Sequence, residues 1–312
     1  MKNQTEVHEF ILLGLTNDHR QQPVLFICFL LLYLACLLGN AAILTVIVAE
    51  PRLQTPMYFF LGNLSCLDLC FSTVTIPKML SGFLVEQQTI TFLGCLTQMH
   101  FFHFLGGSEA IVLSVMAYDR YVAICKPLRY STIMSNRACL WLAVMTWGIG
   151  FCQALIHAVA ASQLSFCGPN HVLHFFCDIK PVLKLACSST VLNILLLNVV
   201  AGGIALSCFF VIFLSYLYII TFLFVKFRTW QSRWKAFSTC ASHLTVVAIC
   251  LIPVISNYML ASAGDSSVRE MIISVLYSAV TPVLNPLIYT LRNQEVKSSV
   301  RKILSRKFSG RT

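Results

Sequence analysis

Seven stretches of this chain stay apolar for twenty residues or more, at roughly 24–49, 57–80, 95–119, 138–160, 192–225, 238–261 and 268–291. A helix of that length crosses a hydrocarbon layer about 30 Å thick. Lipid offers no water to backbone N–H and C=O groups, so each stretch must satisfy its own hydrogen bonds, and a helix does so. Composition agrees: 57% of the 312 residues are hydrophobic and 11% charged, against about 25% charged in ordinary soluble domains. The sequence predicts an all-α membrane protein in one domain, 1–312. An outer N-terminal segment (1–23) leads into a seven-helix bundle (24–292), and a tail follows (293–312).

Sixteen of the 22 Lys and Arg residues fall after the first, third and fifth stretches and in the tail. Such asymmetry places those segments in the cytoplasm and the N-terminus outside. The net charge of +10 then describes an inner surface facing anionic membrane lipid or a partner. Spread over separate loops, it does not point to nucleic acid. The first 23 residues are mixed and polar, without the pattern of a cleavable signal peptide, so the first stretch is read as a signal-anchor. Asn3-Gln4-Thr5 is a glycosylation sequon on the outer side; Asn63-Leu64-Ser65 lies within the second stretch and should stay unmodified. In the tail, Val296, Val300, Ile303, Leu304 and Phe308 recur at helical spacing among basic residues. That pattern predicts an amphipathic helix on the inner leaflet.

Charged groups inside apolar helices are costly and mark function by default. Asp119 and Arg120 close the third stretch, and Asp68 and Glu109 lie inside the second and third. No activated nucleophile accompanies the carboxylates, so an enzyme is not expected. His100 and His103 are three apart, as are His171 and His174, but no third ligand joins either pair and no metal site is expected. A transporter would carry a charged through-path or an inverted repeat, and neither is seen. Most of the 14 cysteines sit inside apolar stretches; Cys95, Cys167, Cys177 and Cys187 lie at the outer boundary, where four thiols allow three pairings.

The motifs narrow this further. Phe10 to Leu15 reads FILLGL, Gly39-Asn40 falls in the first stretch, and Thr55-Pro56-Met57-Tyr58 opens the second. Met116 to Cys125 reads MAYDRYVAIC and runs into Lys126-Pro127-Leu128-Arg129-Tyr130. Then come Phe175-Phe176-Cys177-Asp178, Ser215-Tyr216, KAFSTCASHL (Lys235 to Leu244) and PVLNPLIYTLRN (Pro282 to Asn293). In this order the blocks resemble odorant receptors, a family of rhodopsin-like G-protein-coupled receptors, over nearly the whole chain.

That resemblance implies a plasma-membrane receptor for small, largely apolar odorants. It would activate a heterotrimeric stimulatory G protein of the olfactory type and raise cyclic AMP. The alternative is a rhodopsin-like receptor for another small ligand. By alignment to the family, the ligand pocket takes Phe102, His103, Gly106, Gly107, Val200, Ile204, Leu251, Val254, Ile255, Tyr258 and Ser278. His103 is its polar anchor, and with no carboxylate in the set a neutral ligand fits better than an amine. The inner switch would comprise Asp119, Arg120, Tyr121, Tyr216, His243 and Tyr289. Asp68, Glu109, Asn40 and Asn285 match a sodium site of related receptors; otherwise the carboxyls are protonated and hydrogen-bonded. The favoured disulfides are Cys95–Cys177 and Cys167–Cys187, with Cys95–Cys187 as the alternative. Two departures stand out. Gln54 replaces a usual histidine. Cys250-Leu251-Ile252-Pro253 stands where the family carries Phe-Tyr-Gly, and Pro253 removes a helical donor and should kink its helix.

Overall fold

The computed structural model of the chain describes residues 7–16, 18–226, 230–258, 267–292 and 296–299. Its frame is seven helices: α1 (Gln22–Ala49), α2 (Pro56–Gly82), α3 (Phe92–Cys125), α4 (Asn136–Ser162), α5 (Val191–Lys226), α6 (Trp230–Tyr258) and α7, built from Ser267–Val275, Leu276–Val280 and Thr281–Arg292. Six are long and apolar enough to cross a membrane, and α6 carries its apolar part at His243–Asn257. The chain is therefore a seven-helix membrane bundle. Asn3 and tail positions 300–308 lie outside the described residues.

Side chains partition as a lipid solvent requires. In α1, Leu38 is 72% and Val48 77% exposed, while Cys36, Asn40 and Ile43 are buried against the bundle. Apolar side chains so exposed would be a liability in water and are at home in hydrocarbon. Helix α3 is the hub and packs against α2, α4, α5 and α6. Thr91 caps its start by accepting from Gly94 N at 3.1 Å, and Ser135 caps α4 through Ala138 N at 3.4 Å. Each cap satisfies an N–H that the first turn leaves without a partner.

Helices in lipid gain from close backbone approach at small residues. A Cβ on Gly150 of α4 would collide with Ser108 Oγ and lie 2.9 Å from the Phe104 carbonyl of α3. The carbonyl cannot yield without moving the helix. Gly150→Val should therefore cost roughly 1–3 kcal/mol, the usual range for overpacking. A lower melting temperature in detergent checks this, and unchanged melting would exclude tight α3–α4 contact. Asn63 supports the same side: it accepts from Trp147 Nε1 at 3.0 Å, joining α2 to α4.

Outside the helices, β1 (Glu9–Leu12) forms a three-stranded sheet with β2 (Gln88–Thr91) and β3 (His171–Val172), in the order β2-β1-β3. β1 pairs antiparallel with β2 and parallel with β3. The FILLGL segment is thus a strand that straps the outer end of the bundle. Beneath it Phe10, Leu12, Met99, Val172, Ile179 and Val182 form a separate buried cluster around Cys95 and Cys177.

Candidate functional site

The segment between α4 and α5 is folded into a lid. Disulfides join Cys95 to Cys177 and Cys167 to Cys187, so the pairing of Cys95 with Cys187 does not occur. Cys177 N donates to Gln98 Oε1 of α3 at 2.9 Å. His174 meets Ser274 Oγ of α7 at 3.1 Å, Lys184 pairs with Glu270 of α7 at 3.0 Å, and Lys180 donates to the Asn257 carbonyl of α6. Burial lowers the His174 pKa to about 4, so the ring that docks the lid on α7 is neutral at neutral pH.

Below the lid, α3 to α7 surround a cavity of about 100 Å³. Phe102, His103, Gly106, Gly107, Ile204, Leu251, Val254 and Ile255 line it. Val200 and Ser278 do not. Both fall in π-helical turns, Leu197–Ala201 of α5 and Leu276–Val280 of α7. Each such turn holds an extra residue and shifts the facing positions, so Leu197, Asn198 and Ala201 face the cavity from α5, and Tyr277 and Thr281 from α7. The Tyr258 side chain lies outside the described residues.

His103 is 8% exposed, and its Nε2 lies 3.4 Å from Asp178 Oδ1 of the lid. Gln153 of α4 donates to the His103 carbonyl at 2.7 Å and also lines the cavity. Neither partner was assigned from sequence. Gln153 carried a usable signal, a polar residue within an apolar span; Asp178 carried none, because only folding the lid brings it over α3.

A carboxylate does reach the cavity, contrary to the family alignment: Glu109 lines its inner end. Glu109 Oε1 accepts from Cys250 Sγ at 3.2 Å and from Asn285 Nδ2 at 3.4 Å. The same Asn285 amide donates to Asp68 Oδ1 and Oδ2 at 3.0 and 3.1 Å. Two carboxylates thus converge on one amide. Asn40 makes no hydrogen bond to either; it donates to the Pro282 carbonyl at 3.0 Å and ties α1 to α7. Leu251 stands in the cavity wall beside Cys250, and α6 continues through Pro253 to Tyr258.

At the inner end, Asp119 is buried and accepts from Tyr130 Oη at 2.8 Å. Burial first, then the Asp119 carboxylate, hold the Tyr130 phenol above its ordinary range, so it remains a donor. Among the described residues no ion pair joins Asp119 to Arg120, which is half-buried. Tyr216 Oη lies 2.7 Å from His243 Nδ1, linking α5 to α6. Tyr289 Oη is buried and has no hydrogen-bond partner among the described residues. The Tyr121 ring meets that of Tyr218 in a tilted contact, 5.8 Å between centroids, on the α5 side of the helix.

A seven-helix bundle with a lidded outer cavity and a polar cluster at its inner end defines a membrane receptor rather than a pore. The olfactory receptor family model matches residues 28–307. Olfactory receptor 12D1 of Homo sapiens is 53% identical over 306 residues, covering 98% of this chain and 96% of the relative. Olfactory receptor 12D3 of Homo sapiens is 52% identical, covering 98% and 97%. Olfactory receptor 1f45 of Rattus norvegicus is 44% identical, covering 98% and 97%. The chain belongs to the olfactory receptor family. It is a multi-pass receptor of the plasma membrane and not an enzyme.

Proposed function

We propose that this receptor binds small, largely apolar odorants in the outer cavity and activates a heterotrimeric stimulatory G protein of the olfactory type, raising cyclic AMP. One observation carries the reading: α3 lines the lidded cavity at His103 and, four to five turns further in, carries Asp119 and Arg120 close to its inner end at Cys125. The size is supportive. An apolar cavity of about 150 Å³ takes a ligand the size of benzene; at about 100 Å³ this cavity is smaller still and restricts the ligand to small molecules. An odorant that binds the active arrangement more tightly shifts the population towards it.

His103 is the polar anchor in this reading. His103→Ala should weaken odorant potency about tenfold, the worth of one hydrogen bond of about 1.4 kcal/mol, without lowering surface expression. Cyclic-AMP dose–response curves in cells matched for surface receptor give the answer; an unchanged half-maximal concentration removes His103 from the pocket.

Asp68, Glu109 and Asn285 fit a sodium ion. Two buried carboxylates share one amide, and Asn285 Oδ1 has no hydrogen-bond partner among the described residues. Hard oxygen donors of this kind suit hard cations. A bound sodium ion would supply the positive charge that two acids in an apolar bundle otherwise lack.

A further inference from the structure

The cavity's inner end holds one carboxylate oxygen, Glu109 Oε2, that the described residues leave available beside any cation shared with Asp68. Both hydrogen bonds to Glu109 fall on Oε1, from Cys250 and Asn285, and among the described residues Oε2 accepts none. Glu109 nevertheless lines the cavity, in a wall that is otherwise mostly apolar. A carboxylate oxygen without a donor in such a place leaves hydrogen-bonding capacity unmet. Resting on the odorant-receptor reading, we propose that Glu109 Oε2 receives a hydrogen-bond donor from the ligand. The receptor would then select small apolar molecules ending in a hydroxyl or amino group over isosteres that only accept.

The opening to Glu109 depends on the small side chain at position 250. Cys250 Sγ touches Glu109 Oε1 and also lines the cavity; a ring there would fill the space through which a ligand meets the carboxylate. Distance sets the ligand's length. Six residues separate His103 from Glu109 along α3, a rise of about 9 Å. A ligand of about six heavy atoms, near the limit of such a cavity, therefore reaches from one to the other through a hydrogen bond at each end, with its donor at the inner end. The discrimination should be strong, since a site built around a buried acceptor rejects analogues that leave it unpaired.

The test uses the full-length receptor at the cell surface and a matched panel: a short-chain primary alcohol, its primary amine, its methyl ether and the ketone of equal length. The alcohol or the amine should be at least tenfold more potent in raising cyclic AMP than the ether and ketone. Glu109→Gln, whose amide can itself donate, should shrink that ratio towards one by letting acceptors in. Cys250→Phe should do the same by covering the carboxylate, while Cys250→Ser should keep the preference and show that the site tolerates change. Equal potencies across the panel in the unaltered receptor would overturn the proposal while leaving the odorant reading intact. So would a ratio unchanged in both Glu109→Gln and Cys250→Phe. A surface-expressed receptor that answers no odorant at all would remove the reading itself and the proposal with it.

Discussion

Arg120→Ala is expected to abolish the odorant-evoked cyclic-AMP rise while leaving the receptor at the cell surface. Arg120 sits at the inner end of α3, half-buried, and no ion pair to Asp119 holds it among the described residues. Asp119 is instead occupied by Tyr130. The guanidinium is thus a charged group at the inner end that no ion pair among the described residues ties to Asp119. Arg120→Lys keeps the charge but loses the planar fork of donors, so it should restore only a minor part of the response. Surface immunolabelling with dose–response curves makes the comparison. A normal response from Arg120→Ala at equal surface density would remove the switch from this end of the bundle.

Cys95→Ser should have the next largest effect, this time on the fold. The Cys95–Cys177 bond closes a loop of 82 residues, and loop-closure entropy assigns such a cross-link about 4.5 kcal/mol. Native proteins hold a margin of only about 5–15 kcal/mol. The bond also lies inside the cluster that seats β1 and the lid, where Cys95 and Cys177 are fully buried. Cys95→Ser should therefore deplete surface receptor severalfold and lower the melting temperature of what remains. The Cys167–Cys187 bond spans 20 residues, for about 3 kcal/mol by the same relation, so Cys167→Ser should do less damage. Equal losses from both would contradict the order; no loss from Cys95→Ser would show that the sheet and lid hold without it.

Much of the frame was legible because lipid leaves the chain few choices. An apolar stretch read as 57–80 becomes α2 at Pro56–Gly82, and one read as 192–225 becomes α5 at Val191–Lys226. The outer sheet was not legible: β1 alternates weakly over four residues and is defined by partners some 80 and 160 positions away. Two pocket positions, Val200 and Ser278, missed because a π-turn adds one residue without any change in apolar pattern. Glu109 reads as a costly buried acid, yet that it lines the cavity beside Cys250 of α6 follows from packing across the bundle, and a helical pattern carries no record of which neighbour is small.

In the proposed function this receptor converts odorant binding into G-protein activation. Cyclic AMP measured in cells displaying the receptor, against a chemically diverse odorant panel and beside cells lacking it, tests that claim directly. A saturable, receptor-dependent rise is expected for at least one small, largely apolar odorant. A receptor confirmed at the surface that raises cyclic AMP for no member of the panel would contradict it.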